Sequence, residues 1–120
     1  MSDNQEKGQK GEELAAAFLR NQGYRIEAMN WRSGKDELDI VARDGPFLVV
    51  VEVKTRKSNF FGEPELFVTR TKQRNIIRCA NEYIRRTHFM GETRFDIVSV
   101  ILTPNDHQIT HIKDAFYPIV

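Results

Sequence analysis

Residues 36–54, DELDIVARDGPFLVVVEVK, place Glu37, Asp39, Glu52 and Lys54 within the densest run of β-formers in this 120-residue chain. A charge buried among valines is costly unless it is paired or put to use. The Asp-Gly-Pro segment at 44–46 is turn chemistry between two strands. If Gly45 and Pro46 form a two-residue turn, Asp39 falls opposite Glu52 and Glu37 opposite Lys54, with β-carbons roughly 4.5–5.5 Å apart. Strand alternation then puts Glu37 and Asp39 on one face, and Glu52 and Lys54 likewise. Two carboxylates at that spacing repel each other. A divalent cation such as Mg²⁺ relieves the repulsion and keeps coordination positions for water and phosphate oxygens. Lys54 beside it could orient or deprotonate a water and compensate developing negative charge. Together these groups are equipment for phosphodiester hydrolysis. The competing expectation is a salt-bridge network at the strand ends, with Lys54 paired to Glu37.

A third acid comes from the stretch before the strands. GEELAAAFLRNQ (11–22) reads as a helix stopped by Gly23, with Leu14, Ala15, Phe18 and Leu19 as its apolar stripe. Glu12 shares a face with Ala15, Ala16 and Leu19, so its carboxylate points toward the packing side, where the metal site could be its partner. Complementing the helix dipole would explain Glu12 and Glu13 equally well.

The elements that must hold these residues follow from periodicity. Strands are expected at 24–29, 37–43, 47–54, 94–102 and 108–112, with a loop at 30–35 and an irregular loop at 57–67. Ile76, Ile77, Ala80, Tyr83 and Ile84 recur at helical spacing within 69–86. The order α-β-β-β-α-β-β predicts an α/β domain in which a mixed β-sheet is flanked by helices. The chain length fits one domain over 1–120, with residues 1–8 as a mobile tail.

Net charge is only +1, yet nine lysines and arginines stand against three acids between Lys54 and Arg86. This leaves the rest of the chain acidic and predicts a basic face suited to a polyanion. Arg70, Lys72, Arg74 and Arg78 on the second helix, with Arg56 and Lys57 just past the acids and Arg32 in the preceding loop, are the candidates to track a phosphate backbone. The competing expectation is a solvated helix face. Trp31 could stack on an unpaired base or close the core, and Phe60 and Phe61 could wedge, self-associate or pack under their loop. Asp96 could lie near the site or pair with Arg94. His88, His107 and His111 have no metal-ligand spacing. There is no Gly-rich phosphate loop, Ser-His-Asp arrangement or Cys-x-x-Cys pair. A lone Cys79, a polar N-terminus unlike a signal peptide and the lack of any apolar run approaching the length of a membrane span, Phe47–Val51 included, point to a cytoplasmic protein.

The segments GQKGEELAAAFLRNQGY, NWR, DELDIVA, VVVEVKTR, RFDIVSV and DAFYPIV, in this order from Gly8 to Phe116, resemble the YraN-like family of small bacterial proteins. That family is in turn similar to archaeal Holliday junction resolvases and the restriction-endonuclease-like PD-(D/E)xK superfamily. The resemblance implies a restriction-endonuclease-like core and a metal-dependent endonuclease acting on branched or structured DNA. Asp39, Glu52, Lys54 and Glu12 would be its catalytic residues, and Mg²⁺ or Mn²⁺ would sit on Asp39, Glu52 and the Val53 carbonyl. Many enzymes of this fold dimerise, which leaves a homodimer open. The alternative is a non-catalytic nucleic-acid-binding or adaptor module that keeps the fold. Two positions depart from the expected pattern: Asp36 stands where the family has Gly, and Leu38 where the nucleases often have Pro.

Overall fold

The computed structural model describes residues 3–57 and 68–118. Phe60, Phe61 and all but Lys57 of the expected irregular loop lie outside the described residues. Helix α1 (Asp3–Asn21) precedes strands β1 (Arg25–Ser33), β2 (Asp36–Asp44) and β3 (Phe47–Lys57); helix α2 (Arg70–Thr87) then leads to β4 (Thr93–Leu102) and β5 (His107–Phe116). This is the expected order. Helix α1 begins at Asp3 rather than Gly11, so residues 3–8, expected as a tail, belong to its first turns.

The strands lie in sequence order across one sheet, antiparallel except for the β3–β4 pair, which is parallel. A parallel pair needs a crossover, and α2 supplies it. Strand alternation divides the core in two. Ala15, Ala16 and Leu19 of α1 pack with Ile40, Ala42, Val49, Val51, Val98 and Val100. On the other face, Ile76, Cys79, Ala80 and Tyr83 of α2 pack with Val41, Leu48, Val50, Phe95 and Ile97. Thr69 caps α2 by accepting the Lys72 N–H, and His88 ends it in the left-handed conformation. Trp31 belongs to this second core, edge-on to Tyr83 with ring centroids 5.1 Å apart, and is not a free stacking platform. Among the described residues, no helix is long and apolar enough to cross a membrane.

Strand β5 runs four residues further than its sequence pattern indicated, because a register irregularity interrupts the alternation. Asp114 takes a positive φ of 57°, and the pairing with β4 shifts between Phe95 and Ile97. The carboxylate of Asp96 secures this irregularity. Fully buried, it accepts the Asp114 N–H at 3.0 Å, two bonds from Arg94 at 2.9 and 3.0 Å, and one from His111 Nε2 at 2.7 Å. Burial alone would raise its pKa, but the bonds from His111, Arg94 and Asp114 outweigh burial and hold it below the usual carboxylate range. Asp96 therefore pairs with Arg94, as one of the two sequence expectations had it. Arg94 reaches on to Asp44 at 3.1 Å and to the Tyr24 hydroxyl at 2.6 Å, tying the β2 end to the network.

Removing one partner of a buried ion pair costs about 3–5 kcal/mol. Asp96→Ala should lose about that much in urea denaturation at pH 7. The depressed pKa makes Asp96's contribution present above about pH 4 and lost as pH falls through the folded value. The parent should therefore lose its advantage over the variant on acidification, and an advantage unchanged at pH 2 would contradict this account.

Candidate functional site

Asp39 and Asn30 occupy facing positions at a break in the sheet. Met29 and Ile40 lie in the α1-side core, whereas Trp31 and Leu38, two residues away on the same strands, lie in the α2-side core. Residues two apart on a regular strand share a face, so both strands switch faces between these pairs. Asn30 makes the switch with φ at 52°, a left-handed conformation that Asn tolerates better than most residues. Strand β1 continues through this point to Ser33, where the sequence suggested a loop from Asn30.

The hairpin has the expected register. Asp44 pairs with Phe47 and the ladder runs to Ile40 with Val51, with Gly45 in the turn at a φ of 58°. Beyond Ile40 a side chain takes over, and Asp39 Oδ2 accepts the Val53 N–H at 2.9 Å. Glu52 is buried, and its Oε1 lies 3.8 Å from Lys54 Nζ and 3.7 Å from Lys72 Nζ. Asp39 and Glu52 are neighbours close enough to influence each other's ionisation. Burial, and then the charge of Glu52, push the Asp39 pKa up to about 7, against the Val53 N–H and Lys72, which favour ionisation. Burial raises Glu52 as well, opposed by Lys72 and Lys54.

On the other side of Asp39, carboxylate oxygens of Glu12, Glu37 and Asp39 lie within 4.8 Å of one another. Asn30 Nδ2 bridges two of these acids, donating to Glu12 at 2.7 Å and to Glu37 at 3.0 Å. Burial raises the Glu12 pKa, Asn30 works against it, and the charges of Asp39 and Glu37 add to it. Glu12 reaches the cluster because Gly11 lets α1 touch β3: a β-carbon there would lie 1.9 Å from Thr55 Oγ1. A cleft of about 300 Å³, bordered by Lys35, Asp36, Lys72 and Asn75, gives onto Glu37 and Asp39.

The sequence-predicted residues thus fall into two sets. Glu12, Asp39, Glu52 and Lys54 converge, with Val53 meeting Asp39 through its N–H. Glu37 joins the acids and pairs with Arg32 at 3.0 Å, so the expected Glu37–Lys54 salt bridge gives way to Lys54–Glu52. Lys72, assigned from sequence to backbone tracking, turns toward Glu52. Its position four residues before the buried Ile76 signalled this orientation, whereas nothing in the sequence signalled the role of Asn30. Arg78 is clamped by Asp36 in two bonds of 2.7 and 3.0 Å, which lower the Asp36 pKa. Arg70 and Arg74 stand exposed on α2, Lys57 is exposed at the end of β3, and Arg56 donates to the Thr55 carbonyl.

The elevated Asp39 pKa has a measurable consequence in metal-free protein. The folded value is about 7 against an ordinary 3.8, so the stability linked to the bound proton is full below about pH 4 and lost as pH rises through 7. Asp39→Asn should be more stable than the parent at pH 8 by about 2–4 kcal/mol in urea denaturation with EDTA, and the gap should close toward pH 4. A variant less stable at pH 8 would refute the assigned electrostatics.

The model of the uncharacterised protein family UPF0102 matches residues 11–100. A UPF0102 protein of Phocaeicola vulgatus is 46% identical over 118 residues, covering 98% of each chain. One from Porphyromonas gingivalis is 46% identical over 118 residues, covering 97% of this chain and 87% of its own. A third, from Thermodesulfovibrio yellowstonii, is 42% identical over 112 residues, covering 93% of this chain and 96% of its own.

Proposed function

The chain belongs to the UPF0102 family, and from the chemistry of its acid cluster we propose that it is a metal-dependent endonuclease acting on branched or otherwise structured DNA in the cytoplasm. The observation that carries this reading is the convergence of four carboxylates, from Glu12, Glu37, Asp39 and Glu52, with Lys54 and Lys72 beside them. Neighbouring carboxylates raise the pKa of Asp39 and of Glu12, a repulsion that a bound cation would relieve, and an all-oxygen donor set suits a hard one such as Mg²⁺ or Mn²⁺. Asp39, Glu12 and Glu37 are the side chains that would hold it, with Glu52 behind them. The Val53 carbonyl remains a candidate ligand, since the N–H and carbonyl of one strand residue project to the same side and its N–H faces Asp39. Once bound, the ion would supply a Lewis acid for a phosphate oxygen and a water acidic enough to attack near neutral pH.

The chain's own residues account for the other requirements. The Val53 N–H fixes Asp39, and Asn30 fixes Glu12 and Glu37, so the ligands are oriented before any cation arrives. Lys54 and Lys72 flank Glu52 and favour its ionised form. Lys72 also borders the cleft, where its ammonium can meet a phosphate oxygen as charge develops; Lys54 orients the attacking water. The first turn of α2 carries Arg70 and Lys72 and no acid, contrary to what the helix dipole favours, which supports selection for an anionic ligand.

Linear, flapped and four-way DNA incubated with Mg²⁺ or Mn²⁺ should be cut in a reaction that EDTA abolishes and that Asp39→Asn and Lys54→Ala lose. Equal cleavage by the Asp39→Asn protein would overturn the proposal. Lys72→Ala should lower the cleavage rate by about 10²-fold or more while the protein stays folded, in keeping with removal of a charge-stabilising donor. A rate unchanged from the parent would confine Lys72 to a structural role. The partial neutralisation of Glu37 by Arg32 favours a second reading, a nucleic-acid-binding module whose acids are structural. DNA binding indifferent to EDTA and to Asp39→Asn, with no cleavage, would select it.

A further inference from the structure

A second cleft, of about 390 Å³, lies between α2 and the C-terminal segment, on a part of α2 that does not contribute to the acid cluster. One wall carries Arg70 and Arg74, one helical turn apart, with Gln73 and Ile77 between and below them; the other carries Tyr117 and Pro118. Among the described residues, neither arginine has an acidic partner, whereas Arg78 at the same cleft is committed to Asp36. Tyr117 is 63% exposed, yet it is not a loose end. The preceding residue, Phe116, is buried and stacks on Phe95 with centroids 5.3 Å apart, so the backbone beneath Tyr117 is anchored while its ring stays open.

We propose that this cleft is a subsite for an unpaired nucleotide of a nucleic-acid strand, with its base stacked on Tyr117 and its flanking phosphates against Arg70 and Arg74. The proposal rests on nucleic acid being the ligand, as argued above, and extends that reading to the form of nucleic acid recognised. The volume falls within the range of small-ligand sites. Two guanidinium groups with no acidic partner among the described residues call for an anion, while an exposed aromatic ring with an isoleucine nearby calls for a flat apolar partner. A nucleotide combines both properties in one ligand. A paired base keeps its faces covered within the duplex, so only an unpaired or displaced one can reach the ring. Flaps and branches contain or readily expose such nucleotides. An acidic peptide would satisfy the arginines but would leave the tyrosine without a role.

The test is binding of a labelled single-stranded oligonucleotide and of a fully paired duplex, measured by fluorescence anisotropy in EDTA so that no cleavage is required. Tyr117→Ala should weaken single-strand binding by about 5- to 100-fold and leave duplex binding unchanged, and Tyr117→Phe should restore it. Removing Arg70 and Arg74 together should weaken both and reduce the salt dependence by about one unit of slope per arginine. The subsite is overturned if Tyr117→Ala binds the single strand as the parent does, or if neither nucleic acid binds. Competition by polyglutamate as effective as by unlabelled oligonucleotide would also overturn it. Tyr117-dependent binding, together with no cleavage when Mg²⁺ or Mn²⁺ replaces EDTA, would reject the nuclease reading and leave the subsite standing. Metal-dependent cleavage with single-strand binding indifferent to Tyr117 would do the reverse.

Discussion

The pairing of β2 with β3 is the constraint on which the candidate site depends. Leu48, Val49, Val50 and Val51 are almost entirely buried, alternating between two cores, and together represent roughly 6–12 kcal/mol of apolar burial. Moving the register by one residue would send each of them to the wrong face. Against that stands the cost of burying Asp39 and, second to it, of holding it near Glu52, together roughly 4 kcal/mol if a pKa of about 7 is set against an ordinary carboxylate. The apolar term wins, so the hairpin can impose on two acids a proximity they would not choose. The site is a strained passenger on a well-packed strand pair, an arrangement typical of functional positions.

Much of this was legible in the sequence because it is governed by short-range rules. The Asp44-Gly45-Pro46-Phe47 turn fixed the register as far as Ile40 opposite Val51, and the residues that follow, Asp39 and Glu52, come together just beyond it. Helical spacing located α2 and its buried residues. What escaped was governed by single residues that break periodicity. Asn30 keeps β1 extended through a change of face that alternation cannot represent. Asp114 does the same for β5, and its N–H bond to Asp96 is a tertiary contact with no local signal. The partners of Glu37 and Lys72 likewise depend on how strands and helix come together, and no spacing rule supplies that.

Asp36 shows how a sequence departure can mislead when its partner is remote. A negative charge in place of Gly, three residues before Asp39, would add repulsion at the site if it stood unpaired. Arg78, 42 residues away in sequence, binds it in two hydrogen bonds and holds it ionised. The same contact withdraws Arg78 from the set of cations available to a ligand, while Lys72 leans toward Glu52 and still borders the cleft. The basic stretch of α2 is therefore divided, with some charges serving the acids and others facing outward.

Gly11 carries a mechanical implication. Where α1 meets Thr55 there is no side chain to act as a cushion, so helix and strand touch backbone to side chain at the residue preceding Glu12. A methyl group at that position would wedge the two apart and draw the glutamate away from its neighbours. The smallest residue in the chain thereby governs how far apart the acidic groups stand, and any sideways travel of β3 would be transmitted to Glu12 with little slack.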